Sequence, residues 1–455
     1  MEMDADMDGP AMGQGQYSYV PPDDGRKQLD LVFIQDCTGS QGSYITSSTK
    51  NIEEISRAIF ESGKLVYPDD LRLGLIAFRD HPPQDHTYIT KNFGFSSDIS
   101  VMHDNLKTLF ASGGGDGPEA VTAALGEALD MDWRPHAAKM VVLIADAPPH
   151  GIGEYGDGFD DGSPDGKDPL GIARTMASRG IVLFFVACEP ALSGYAVRFG
   201  SRKRFANDFY HAITQITSGL MLPLTTANLL APAIVGSALE NMDMERLIRE
   251  VGMAVAERVH GNNESVDDVA RELHEKLLLR NESTKRVVIE NIYRELPEAT
   301  HNIQVWLNSP NIQAARPQLR KIKGTRFTDK YLSAKYVARA SISHSPPPLS
   351  PIRKRTLNDT KVFGTSSGAP QSVFATAVKS SPFSLAGNQA AFGGMRDRSA
   401  PGMDDDDDEE EGDDVKRSAS VFSSGTQSLE LREDSITYDQ AKRIALQSAW
   451  RTARV

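Results

Sequence analysis

Asp36, Thr38 and Ser40 stand two residues apart where the apolar run Leu31-Val-Phe-Ile ends. In an extended segment that spacing sends three oxygen side chains to one side. Carboxylate and hydroxyl oxygens are hard donors, suited to Mg²⁺ that keeps part of its water shell. Two more carboxylates occupy comparable places. Asp116 lies in the turn Gly113-Gly-Gly-Asp116-Gly-Pro118-Glu119, and Asp146 ends the run Lys139-Met-Val-Val-Leu-Ile-Ala. Asp and Ser at strand–helix junctions often only cap helices, which accounts for any one of these residues. Five such donors in three loops fit a shared cation better, provided the loops leave the same edge of a sheet.

A second group of side chains belongs to the same edge. His81, Asp85, His86, Glu119, His150 and Asp157 are expected on the rim, where they would touch a partner. His81, His86 and His150 also allow a zinc or hydrolase site, a less favoured reading because loop histidines are more often solvated. No G-x-S-x-G or G-x-x-x-x-G-K-[ST] pattern is present, so the chain reads as non-catalytic. Within the Gly- and Asp-rich loop 151–168, the stretch from Gly156 to Asp168 lacks the D-x-[DN]-x-[DN]-G spacing of a calcium loop. It is expected to be a mobile, solvated rim.

Elements able to hold these groups follow from the apolar pattern. Four apolar runs end near residues 36, 78, 145 and 188, and stretches with helical spacing alternate with them. Ile45, Ile52, Ile55 and Ile59 mark one such helix, and Pro118 and Glu119 open another through Met131. Strands apolar on both faces that alternate with helices imply a doubly wound, mostly parallel α/β sheet covered on both sides. From about 235 to 335 the pattern is helical, with Ser265 and Asp268 as a capping box. This region is expected to be a packing extension of the first domain.

The chain has 455 residues, 40% of them hydrophobic and 24% charged. Its net charge of −13 is local, because ten acids lie between Asp404 and Asp414. The nearly balanced remainder argues against a nucleic-acid-binding face. No apolar run reaches about 18 residues, and no membrane span is expected. Two cysteines, Cys37 and Cys188, read as reduced thiols, and no secretory leader is visible. A cytoplasmic protein is expected, with nuclear residence possible through Arg353-Lys-Arg355. Residues 1–28 and 340–432 read as disordered, and 433–455 as a short amphipathic helix. Ser350-Pro and Pro348-x-x-Pro351 are weak signals for phosphorylation and SH3 docking.

Asp36-x-Thr38-x-Ser40, the Gly113-Gly-Gly-Asp116 turn and Asp146 resemble the metal-ion-dependent adhesion site of von Willebrand factor A-type domains. The likeness covers residues 29–220, and DCTGS, GGGDGPE and IADAPPHG resemble the subfamily fused to alpha-kinases. It implies a Rossmann-like sheet with one antiparallel edge strand and Mg²⁺, or Mn²⁺ or Ca²⁺, at its top. Thr38 and Ser40 would bind the ion directly and Asp36 and Asp146 through water. Asp116 would take the place of the usual Thr, unless Gly117 marks that place and Asp116 stands outside the ligand set. A protein partner would complete the coordination with a Glu or Asp carboxylate, although a third carboxylate makes the ion less electrophilic. The kinase domain itself is not expected, because no cysteine follows Cys188 to build its zinc site. A regulatory or targeting subunit for a separate kinase is the alternative function.

Overall fold

The computed structural model describes residues 25–198, 205–334, 419–424 and 427–452. The first unit runs β1 (Leu29–Asp36), α1 (Gly42–Glu61), β2 (Leu71–Phe78), β3 (Thr90–Ser96) and α2 (Ile99–Lys107). It continues with α3 (Val121–Leu129), β4 (Ala138–Ala145), α4 (Pro169–Ser178), β5 (Ile181–Cys188) and α5 (Ala191–Arg198). Next come α6 (Ala206–Ile216), β6 (Met221–Leu224) and the long α7 (Leu230–Ala256). The sheet order is β3-β2-β1-β4-β5-β6, with β3 antiparallel to β2 and every other pairing parallel.

Side chains of a strand alternate between faces, and here both faces are buried. Leu29, Leu31 and Phe33 of β1 enter the core under α1, α2 and α7. Val32 and Ile34 enter the opposite core under α3, α4 and α6. A strand buried on both sides has no solvated position, which explains its continuous apolar sequence.

Chain order along the sheet reverses between β1 and β4. Connections leave these neighbours toward opposite faces, so a crevice opens beyond their carboxyl ends, the usual ligand position in open α/β sheets. Asp36 closes β1 and Asp146 directly follows β4.

The second region, expected to be helical over 235–335, also contains a strand. Its first helix, α7, begins at Leu230 and packs on α1 and the sheet, so it belongs to the layered domain. It is followed by α8 (Val266–Leu279), β7 (Ser283–Ile289), α9 (Pro297–Asn308) and α10 (Ile312–Ala315). Trp306 of α9 meets Phe209 of α6 edge-on at 5.4 Å, joining the core below the second face of the sheet.

The boundary expected at residue 432 is corrected by two strands, β8 (Ala419–Ser424) and β9 (Gln427–Ser435). β9 pairs antiparallel with both β7 and β8, forming a second sheet. The terminal helix α11 (Tyr438–Thr452) carries Ile444 and Ala445 into a third core with Leu247 of α7 and Leu273 of α8. It therefore docks on its own chain. The expected phosphorylation, SH3, nuclear-import and acidic-run signals between 348 and 414 lie outside the described residues. No described helix is long and apolar enough to cross a membrane.

Candidate metal centre

Loops at the carboxyl edge are fastened to one another by backbone bonds. Gly39 N–H donates to Gly113 O at 3.2 Å, and Ser112 N–H donates to Cys37 O at 3.0 Å. Glu119 N–H reaches Pro148 O at 2.9 Å and Ala120 N–H reaches Arg79 O at 3.0 Å. The turn containing Asp116 is thus tied to all three neighbouring loops. Arg79, almost fully buried, ties the loop after β2 together and to the segment leading into the turn, donating to Thr87 Oγ1 at 2.8 Å and to Phe110 O at 3.0 Å. Gly114 takes φ +83°, and a Cβ there would fall 2.6 Å from Glu119 Oε1 and 3.3 Å from Thr38 Cβ. Only glycine allows this approach at that φ.

A pocket of about 490 Å³ opens above the crevice, lined by Thr38, Ser40, Gly114, Gly117, Glu119 and Asp146 among others. Asp36 holds the Thr38 side of this wall: its Oδ1 accepts from Thr38 N–H at 2.8 Å and from Thr38 Oγ1 at 2.7 Å. Ser40 Oγ donates to Asp146 Oδ1 at 3.0 Å, linking the first loop to the third. Asp36 Oδ2 and Glu119 Oε2 are both buried and accept no hydrogen bond. Two orphaned buried oxygens are an unusual cost unless something outside the chain satisfies them.

Charge makes the same point. Burial, then the Asp146 carboxylate, push the Asp36 carboxyl up to about 8 against the opposing Thr38 bonds. Burial, then Asp36, Asp80, Asp116 and Asp146, push Glu119 up to about 11. Closely spaced carboxylates resist ionisation together, and a cation among them removes that resistance. Hard oxygen donors, two of them orphaned, fit a divalent ion such as Mg²⁺.

Of the five expected donors, Asp36, Thr38, Ser40 and Asp146 gather at the crevice. The pocket wall includes Gly115, Gly117 and Glu119 but not Asp116. Asp116 accepts from Gly158 N–H and lies with Asp80 and His150, one ligand atom of each within 4.8 Å of the others. Glu119, expected at a helix start and on the rim, precedes α3, which begins at Val121. Its bridge to Pro149 draws it out of the helix and into the pocket.

The expected rim is corrected as well. His81, Asp85, Glu119 and His150 are buried, Asp157 is half-buried, and His86 alone of the six is exposed. Asp85 Oδ1 accepts from Thr87 N–H at 2.7 Å, so it shapes its own loop. His81 Nε2 lies 3.4 Å from Ser163 Oγ, and burial with the neighbouring His150 lowers its pKa. The 151–168 loop is fastened, because Asp157 Oδ2 accepts from Gly151 N–H at 2.7 Å and Oδ1 from Phe159 N–H at 2.9 Å. Glu154 accepts from Ala206 N–H at 3.0 Å, anchoring the loop at the start of α6.

Glu189 escaped the sequence reading, although it ends a third strand in a carboxylate. It is buried behind Pro190 and Ala191 of the pocket wall and accepts from Ser193 Oγ at 2.5 Å and Tyr293 Oη at 2.7 Å. The 290s segment thereby steadies the site.

Residues 30–218 match the family model described as von Willebrand factor type A domain. The chain is 30% identical over 178 residues to alpha-protein kinase vwkA of Dictyostelium discoideum, covering 38% of this chain and 28% of that one. It is 28% identical over 212 residues to a putative ariadne-like RING finger protein of Acanthamoeba polyphaga mimivirus, covering 45% and 19% of the two chains. The aligned part therefore spans less than a third of either relative. Among solved structures, the pilus adhesin SpaC of Lactobacillus rhamnosus GG aligns over 48% of this chain and 31% of its own, at 13% identity and TM-score 0.34. Proximal thread matrix protein 1 of the mussel byssus aligns over 47% and 48%, at 11% identity and TM-score 0.28.

Proposed function

We propose, from residues 30–218 being a von Willebrand factor type A domain, that this chain holds a protein partner through a divalent cation and carries out no reaction of its own. Such domains commonly mediate protein interactions. Mg²⁺ is the ion proposed, with Mn²⁺ or Ca²⁺ as substitutes. Thr38 and Ser40 would supply hydroxyl ligands, and Asp36 and Asp146 would act directly or through retained water. Glu119 replaces Asp116 as the donor from the second loop, because Glu119 faces the pocket.

The observation that carries this reading is the pair of orphaned oxygens, Asp36 Oδ2 and Glu119 Oε2, among converging carboxylates. When bound, the ion would present an electrophilic position that an incoming Glu or Asp side chain could occupy. The chain's own part is to fix the donors, through the Thr38–Asp36 and Ser40–Asp146 bonds, and to shape the wall around them. Three carboxylates around one ion weaken its pull on a fourth, so contacts of the wall contribute much of the affinity.

Calorimetric titration of Mg²⁺ should give binding heat that vanishes in the Asp36→Ala, Ser40→Ala double variant while the fold persists. Unchanged heat in that variant would remove the proposal. Pulldowns in Mg²⁺ and in EDTA then separate cation-bridged partners from those held elsewhere.

A second reading is favoured by the likeness to an alpha-protein kinase: the domain targets or regulates a separate kinase. A kinase recovered in Mg²⁺ and lost in EDTA would support it. The hydrolase reading needs metal-dependent turnover of phosphate or ester substrates that fails in His81→Ala.

A further inference from the structure

Asp80 follows β2, Asp116 stands in the glycine-rich turn, and His150 follows β4; their ligand atoms lie within 4.8 Å of one another. His150 is 1% exposed. Its Nδ1 is 2.8 Å from Asp157 Oδ1, and its Nε2 is 2.7 Å from Asp80 Oδ1. Asp80 is wholly buried, and Oδ1 also accepts from His81 N–H at 2.6 Å. Its other oxygen, Oδ2, fixed beside Oδ1 by the carboxylate itself, has no hydrogen-bond partner.

We propose that Asp80, Asp116 and His150 form a second cation site, distinct from the Mg²⁺ pocket, for a borderline first-row ion such as Zn²⁺. Imidazole together with carboxylates suits such ions, whereas an all-oxygen set suits Mg²⁺ or Ca²⁺. Ligating histidines characteristically give their other ring N–H to a carboxylate, which fixes tautomer and ring orientation. Asp157 already holds Nδ1 in that way, leaving Nε2 directed at Asp80. Three protein ligands with one remaining position is a common zinc arrangement. Ligand distances of about 2.0–2.2 Å require the three atoms to draw together. Asp116, half-buried and held by Gly158 N–H, would have to give up or share that bond as its carboxylate closes on the ion. The proton between Nε2 and Asp80 leaves to solvent as the metal–nitrogen bond forms. Because His150 is tied to Asp157, the ion would fix the 151–168 loop beside the first pocket.

Co²⁺ is the probe. Titrated into the full chain in excess Mg²⁺, it should produce an intense visible absorption from a nitrogen-containing site of low coordination number. Six-coordinate all-oxygen sites give only a faint band. The intense band should saturate at one equivalent, disappear in His150→Gln and persist in the Asp36→Ala, Ser40→Ala variant. Asp157→Asn should weaken Co²⁺ binding about 10- to 100-fold, as loss of an orienting carboxylate does. No intense band in the folded wild type overturns the proposal. So does a band that survives His150→Gln or is lost with the Asp36 and Ser40 pair. If His150→Gln fails to fold by circular dichroism, Asp116→Asn decides: loss supports the site and an unchanged band overturns it.

Discussion

Arg443 Nη1 lies 2.6 Å from Glu240 Oε1, joining α11 to α7 across 203 residues of sequence. Both side chains are almost fully buried, at 6% and 1% exposure. Arg443 Nε also donates to Ser218 O at 2.8 Å, and Gln440 Nε2 approaches the same Glu240 Oε1 at 3.2 Å. The terminal helix is thus pinned by a buried polar network as well as by Ile444 and Ala445.

Breaking that pair by removing one partner leaves an uncompensated buried charge, at a cost of about 3–5 kcal/mol. Arg443→Ala should destabilise by that amount in urea unfolding. Arg443→Met combined with Glu240→Met should lose distinctly less, because neither charge is stranded. Equal losses in the two variants would show that packing, not charge, dominates.

Glu119 and Asp116 should part company in metal binding. Glu119→Gln is expected to weaken Mg²⁺ at least about tenfold, or about 1.4 kcal/mol, while Asp116→Asn changes it by less than about threefold. Burial and neighbouring carboxylates hold Glu119 up to about 11, so at pH 7 the metal-free protein carries it neutral. Gln mimics that form. The melting temperature without metal should therefore be retained, and only its rise on adding Mg²⁺ diminished; paired scans with Mg²⁺ and EDTA read both quantities.

Glu154 gives the chain a pH dependence of known sign. Burial raises its carboxyl from 4.5 to about 7, despite opposing bonds from the Phe205 and Ala206 N–H groups. The native state thus keeps a proton that the unfolded chain releases, and stability falls as pH rises from about 4.5 to about 7. At about 1.4 kcal/mol per unit, the fall approaches about 3 kcal/mol. Glu154→Gln should remove this slope; a wild-type-minus-variant difference that is flat across the window would refute the assignment.

Trp306 should behave as a core anchor, although it lies outside the parallel sheet. It is fully buried against Phe209, and its Nε1 has no hydrogen-bond partner. Trp306→Ala is expected to cost about 3–5 kcal/mol. Trp306→Phe, which deletes the unsatisfied N–H, should cost less; guanidinium unfolding midpoints compare them.

The sequence by itself determined the parallel sheet and the ends of its strands. Runs such as Leu31–Ile34 and Val141–Ile144 are apolar at every position because both faces are covered, and a carboxylate that follows such a run can only stand at its edge. Asp36, Thr38, Ser40 and Asp146 were legible for that reason, and the family likeness rests on them. Which carboxylate of the second loop faces the pocket was decided by the tertiary structure. Asp116 and Glu119 are three residues apart, and backbone bonds from Glu119 and Ala120 to Pro148 and Arg79 choose between them. Burial of His81 and His150 likewise depends on loops separated in sequence. β9 was the hardest element to foresee, because its partner β7 lies some 140 residues earlier, across a Ser/Pro-rich and acidic stretch. Local pattern records which faces a segment must bury; it carries no record of the distant segment that will cover them.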